Sequence, residues 1–105
     1  MSAFANVSAT GVGTTPVTLY TATEKTVVIG CNASNVTNQI VPVSIILNDG
    51  ANDIYIKKNF RIENGFNDEV MKGNKIVLEI GDSLKASASI DSSVDIVLSL
   101  LTGVN

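Results

Sequence analysis

The side chains most able to do chemistry in this chain are carboxylates and their amide neighbours. Asn48, Asp49, Asn52 and Asp53, in the segment NDGAND, could offer oxygens to calcium, a hard cation that takes about six to eight such ligands. The order is wrong for an EF-hand loop: Gly50 precedes the second acidic residue and no Glu follows until Glu63. Asn, Asp and Gly are also what a hairpin connection requires, and the segment is read as a turn. Glu63, Asp68 and Glu69, and the pair Asp91 and Asp95, have the types for acid–base work, but the chain has three Phe, two Tyr and no Trp with which to line a saccharide cleft. These are read as solvated loop charges. No catalytic, cofactor-binding or metal-ligating residue is assigned.

The remaining kit is sparse. With no His and one Cys there is no imidazole base, no Ser-His or Cys-His pair and no Cys/His zinc cluster. The expectation is a protein that is not an enzyme. Cys31 cannot close an intrachain disulfide and falls in an apolar strand row, as a small buried hydrophobe would. Asn6-Val-Ser8, Asn32-Ala-Ser34 and Asn35-Val-Thr37 match the glycosylation acceptor pattern, but 11 Asn among 19 Ser or Thr make chance matches expected. Lys57, Lys58 and Arg61 form the one basic cluster, read as a strand edge that discourages pairing. A net charge of −3 leaves no positive field for a phosphate backbone, so nucleic acid is not an expected partner. No apolar run approaches a membrane span or a secretion signal, and no membrane partner is expected.

The elements that must position these residues are strands. Val, Ile and Thr make up 33 of 105 residues, and Asn, Asp, Gly and Ser punctuate the apolar runs. Residues 1–15 are small, polar and uncharged, and are expected as an extended amino-terminal arm; the domain proper is expected over 16–105. Period-2 patterning predicts a strand at Val17 and Leu19, and a second with Val27, Ile29 and Cys31 on one face. A third carries Val41, Val43, Ile45 and Leu47 inward and hairpins through NDGAND into a fourth with Ile54 and Ile56, which Phe60 and Ile62 extend past an irregularity. ENGFNDEVMKGN is a turn-rich crossing with room for one short helical turn. Ile76, Leu78 and Ile80 form the next inward row; Leu84, Ala86, Ala88 and Ile90 follow after a Gly81-Asp82 corner; Val94, Ile96, Leu98 and Leu100 close the chain.

Seven or eight strands at this length predict an all-β fold, an antiparallel β-sandwich of immunoglobulin-like or jelly-roll type. Val28, Ile46, Val97 and Leu101 break the alternation. Either these strands are covered on both faces, or the domain presents an apolar surface to a partner.

TPVTLYTATEKTVVIGCNASN, VPVSIIL, IYIKKN and KIVLEIGDSLKASASIDSSVDIVLSLL together resemble a loose family of small β-sandwich virion proteins of tailed bacteriophages, over residues 15–101. The resemblance implies a non-enzymatic subunit that decorates the capsid or sits at the neck, tail or fibres. It implies a homo-oligomer that contacts other virion structural proteins, is located in the virion and is assembled in the host cytoplasm. An uncharged arm could lie along a neighbour's sheet edge in such an assembly. Two other readings are a host-surface or carbohydrate-binding module, with loops near 32–38 and 48–53 as its contact edge, and a hydrolytic accessory enzyme using the carboxylates above.

Overall fold

Branched side chains at alternate positions suit a pleated surface with one buried face, and the chain uses them to build two such surfaces. The computed structural model describes residues 2–104, which contain nine strands and no helix. In chain order these are β1 (Ala3–Val12), β2 (Val17–Thr21), β3 (Thr26–Asn35), β4 (Val41–Asn48), β5 (Asp53–Ile62), β6 (Asn67–Glu69), β7 (Ile76–Leu78), β8 (Ser83–Ala88) and β9 (Val94–Thr102).

Every pairing is antiparallel. The first strand pairs with the last, β2 with β8, β3 with β6 and β7, and β4 with β5, so the chain is one long hairpin. Wrapping that hairpin on itself adds the pairs β9 with β3 and β8 with β4, giving sheets ordered β1-β9-β3-β6, with β7 also on β3, and β2-β8-β4-β5. This winding is a jelly roll, which settles the choice left open with the immunoglobulin-like arrangement. The count exceeds seven or eight because the 63–74 crossing supplies β6, and β6 and β7, three residues each, share one place beside β3. In place of a helical turn there, Lys72 and Asn74 donate to the carbonyls of Glu69 and Met71 in successive tight turns.

The inner faces meet in one core. Leu98, Leu100, Val94 and Ile96 of β9 are buried against Val41, Val43 and Ile45 of β4 and Leu84 and Ala86 of β8. Two expected rows are corrected. In β3 the inward residues are Val28 and Cys31, while Val27 and Ile29 are half-exposed, because a register shift between Val28 and Gly30 inserts a residue and exchanges the faces. Ile80 lies beyond β7 in the corner before β8 and is 74% exposed rather than inward. Phe60 and Ile62 do extend β5 past an irregularity, at Asn59, whose φ is 54°.

The amino-terminal segment, expected as an extended arm, is extended from Ala3 to Val12 and lies along β9 of its own chain. Met1 and Asn105, the outer ends of the expected arm and domain, fall outside the described residues. Beyond β1 the chain is clamped to the β8–β9 turn. Thr14 donates its amide and hydroxyl to Asp91 Oδ1 at 3.0 and 2.8 Å, and just before this, between the strands themselves, the Gly11 amide of β1 donates to Asp95 Oδ1 of β9 at 2.9 Å. A Cβ on Gly13 would stand 2.8 Å from Asp91 Oδ1, so this close approach requires glycine.

Candidate interaction surfaces

Register decides which apolar residues meet on the outside. Phe4 pairs with Leu101, Leu101 with Val27, and Val27 with Val77, so four apolar side chains stand side by side across β1, β9, β3 and β7. Opposite partners in an antiparallel ladder share a face, and the residues adjacent to these in their strands, Ala5, Leu100, Val28 and Leu78, include three that are fully buried. The row therefore lies on the outer face of the first sheet. Phe4 is 79% and Val77 48% exposed, with Val27 and Leu101 half-buried between them. Further along the same face Val97 is exposed beside Ser8 and Asn32. Of the four residues that break alternation, Val97 and Leu101 are thus outward, Val28 is core, and Ile46 is buried outside the main core, flanked across the sheet by Tyr55 and Lys85.

A second apolar group sits at one end of the sandwich, where Val36, Ile40 and Phe66 are exposed. Asn35 holds this end together. Its Nδ2 donates to the carbonyls of Gln39 (2.6 Å) and Ile62 (2.9 Å), and its Oδ1 accepts from the amide and hydroxyl of Thr37 (2.9 and 2.7 Å). The Asn35 amide also donates to the Phe66 carbonyl and that of Val36 to Ser93. All four side-chain hydrogen-bonding positions of Asn35 are filled in a residue only 2% exposed. Its amide is unavailable as a glycan acceptor, whereas Asn6 is exposed on β1 and Asn32 accepts from Asn67 Nδ2 at 2.8 Å.

The carboxylates are dispersed rather than convergent. Asp49 Oδ1 accepts the amides of Ala51 and Asn52, which holds its carboxyl below the ordinary range. Asp53 Oδ1 accepts from Asn48 Nδ2 at 2.7 Å and Lys85 Nζ at 3.3 Å, again lowering its pKa. This is turn geometry, in which Asn48 Oδ1 also accepts the Gly50 amide. Asp91 is held low by Thr14 of the β1–β2 connection, while Asp95 holds the Gly11 amide within β1. Asp68 pairs with Lys72 at 2.5 Å, and Glu69 accepts the amides of Cys31 and Lys72 through separate oxygens. Among the described residues no three His, Cys, Asp or Glu side chains gather as metal ligands would. An open cleft of about 370 Å³ between Gly11, Gly13, Thr15, Val17, Asp91 and Ser92 has one carboxylate in its lining.

The basic cluster falls on β5, an edge of the second sheet, where Lys58 lies over the Tyr55 ring and Lys57 over Phe60, with centroid distances of 5.0 and 5.6 Å. Cys31 is buried, and burial first, then the Glu69 charge, push its thiol up to about 12. The loops expected to form one contact edge lie at opposite ends of β4: 36–40 precedes Val41 and 49–52 follows Asn48. The sequence reading missed Phe4, Val27 and Val77 as a group and Asn35 as a hub. Period alone identified Leu101 and Val97, but the row exists only through strand register.

No protein-family model matches the chain, and no curated protein matches it. Solved structures of similar fold do exist. One is a Bacillus endospore appendage protein described as forming disulfide-linked pili, at 9% identity and TM-score 0.56, with 100% of this chain and 88% of that chain covered. Another belongs to the T13 particle of infectious bursal disease virus, at 11% identity and TM-score 0.53, covering 96% of this chain but 31% of the viral one. At these identities the likeness is one of fold. Both neighbours are components of assembled structures, a pilus and a viral particle.

Proposed function

We propose that this chain is a non-enzymatic structural subunit of a bacteriophage virion, a capsid decoration or other surface protein that self-associates and docks on other virion proteins. The observation that carries the reading is the outer row Phe4, Leu101, Val27 and Val77. Four apolar side chains aligned across one sheet form a flat, rigid contact surface, while the carboxylates serve turns and clamps. Such a surface favours docking without bond chemistry, and the reading includes no catalytic, cofactor or metal site. Assembly takes place in the host cytoplasm, and the neck, tail or fibres are the alternative locations. A host-surface or carbohydrate-binding role draws less support, because the loops that would share the contact lie at opposite ends of the sandwich.

The whole-chain likeness to the appendage protein favours one second reading, a filament subunit. A filament of this chain would be held by non-covalent contacts, because Cys31 is buried in the core. The test is mass spectrometry and imaging of purified particles carrying the wild-type chain or Val77→Glu. Val77 is 48% exposed, and an unchanged melting temperature of the purified variant separates lost docking from lost fold. Many copies per particle are expected, with incorporation of the variant reduced at least tenfold. Absence of the chain from particles, or equal incorporation of both forms, refutes the reading; ordered filaments of the purified chain favour the second.

A further inference from the structure

The two sheets leave four edges, and they differ in how they are protected. β5 is long but carries Lys57, Lys58 and Arg61 and is broken by the left-handed residue Asn59. β6 and β7 are three residues each, with Asp68 and Glu69 on the first. β2 has five residues and a register shift between Thr18 and Tyr20. β1 has ten residues, AFANVSATGV, with no charge and no proline, and its register with β9 runs unbroken from Ala3 to Ala9. Charges, bulges, prolines and shortness are the devices that stop a sheet edge from recruiting another strand. β1 has none of them over seven consecutive residues.

The edges are also segregated. β1 lies by β2 on one flank, and β5 lies by the β6–β7 turn on the other, where Lys72 reaches the Phe60 ring at 5.3 Å. Head-to-tail pairing would set β1 against β5 or β6 and draw their charges to the junction. Pairing of β1 with its own copy involves no charged side chain and closes after two subunits.

Resting on the self-association proposed above, we infer that β1 pairs antiparallel with β1 of a second copy across a two-fold axis, joining the two copies' five-stranded sheets into one. An axis normal to the sheet places residues of the same face opposite each other, and centring it on the unbroken Ala3–Ala9 run sets Asn6 against Asn6 of the copy or, one residue on, Val7 against Val7. Phe4, 79% exposed at the open end of the apolar row, then stands beside Ser8 or Thr10 of the copy. Both rows lie on one continuous face, one on each side of the axis.

The test is sedimentation equilibrium of the full chain from micromolar to several hundred micromolar, with amide hydrogen exchange at both extremes. Expected are a dimer, slower exchange of β1 amides at the high concentration, and at least tenfold weaker dimerisation for Ser8→Lys and for Asn6→Lys. Both positions are exposed, and unchanged melting confirms the fold of each. Lys58→Ser, on the opposite flank, dimerises like the wild type. A dimer indifferent to both β1 lysines, with β1 exchange independent of concentration, overturns the edge assignment and leaves self-association standing. A chain monomeric at every concentration overturns both.

Discussion

Replacing Asn35 should separate the work of its two ends. In Asn35→Ala, Gln39 and Ile62 lose a donor and the Thr37 amide and hydroxyl lose an acceptor. Most of these groups lie near solvent, where a lost hydrogen bond is worth about 0.5–1.5 kcal/mol, but the bond to the Ile62 carbonyl is buried, and a group left unsatisfied there costs about 1–3 kcal/mol. Thr37 Oγ1 also reaches the Gln39 carbonyl at 3.1 Å, so part of the loop recovers. The net expectation is about 2–4 kcal/mol, or a melting temperature lower by roughly 10–25 °C in a domain of this size. Asn35→Asp keeps the shape and the Thr37 side, but sets a carboxylate oxygen where Nδ2 now donates, against two carbonyl oxygens. At pH 7 it should therefore melt no higher than the alanine variant. The introduced carboxyl has its folded pKa raised above the unfolded value by burial and the carbonyls, so its destabilisation is full above the folded pKa and relieved as pH falls through it. Thermal melts of both variants from pH 7 to 4 should show the aspartate form gaining on the alanine form. An aspartate variant as stable as wild type at pH 7, or an alanine variant within about 0.5 kcal/mol of it, would show that Asn35 does not hold this end.

The clamp on the β1–β2 connection gives two further expectations. Gly13→Ala places a methyl 2.9 Å from the Asp91 Cα and should destabilise by about 1–3 kcal/mol in denaturant titration; a neutral result would mean the connection is free to move. Asp91 has its folded pKa lowered from 3.8 by Thr14, so its contribution is present above that pH and lost as pH falls through the lower folded value. The melting advantage of wild type over Asp91→Ala should thus be constant from pH 7 to 5 and shrink below about pH 4, and an advantage that persists unchanged at pH 2 would contradict the clamp. Cys31, with its thiol pushed up to about 12, should resist alkylation at pH 8 in the native state and react once the chain is unfolded in guanidinium. Rapid native labelling would mean that its strand opens.

What the sequence displays is one-dimensional, and the readings that held depend on one strand at a time. The rows Val41, Val43 and Ile45, Leu84, Ala86 and Ala88, and Val94, Ile96, Leu98 and Leu100 are buried as period-2 patterning requires, while Leu47 and Ile90, expected at the ends of the first two, are only partly buried. The β3 row failed because its bulge at Ile29 and Gly30 exchanges faces without any breaker stronger than a single glycine. β1, expected as an extended arm, has side chains with little to bury; its place is set by main-chain pairing with β9, which composition does not display. The capacity of Asn35 to fill four hydrogen-bonding positions was masked by a chance acceptor motif at the same residue. Strand order was equally hidden, since alternation says which face is buried and nothing about which strand lies alongside.

The same dependence on register explains why the outer apolar row resisted reading while the core did not. Leu101 was visible as an outward apolar residue, yet its significance comes from Phe4 and Val27, 97 and 74 positions away in the chain and directly opposite in the sheet. A slip of one residue in β1 would turn Phe4 inward and carry Ala5 into the row, so the fold that buries Leu98 and Leu100 also fixes which outer residues meet. Core and outer row are then two faces of one ladder. A substitution that shifts β1, such as loss of the left-handed Gly11 at the bulge, φ 61°, should weaken assembly before it unfolds the domain, because the register of β1 places Phe4 in the outer row while the core takes only Val12 of β1 as a fully buried residue. Concentration-dependent sedimentation of Gly11→Val beside its melting curve would show the two effects apart; equal loss of both would mean that β1 is as much a part of the core as β9.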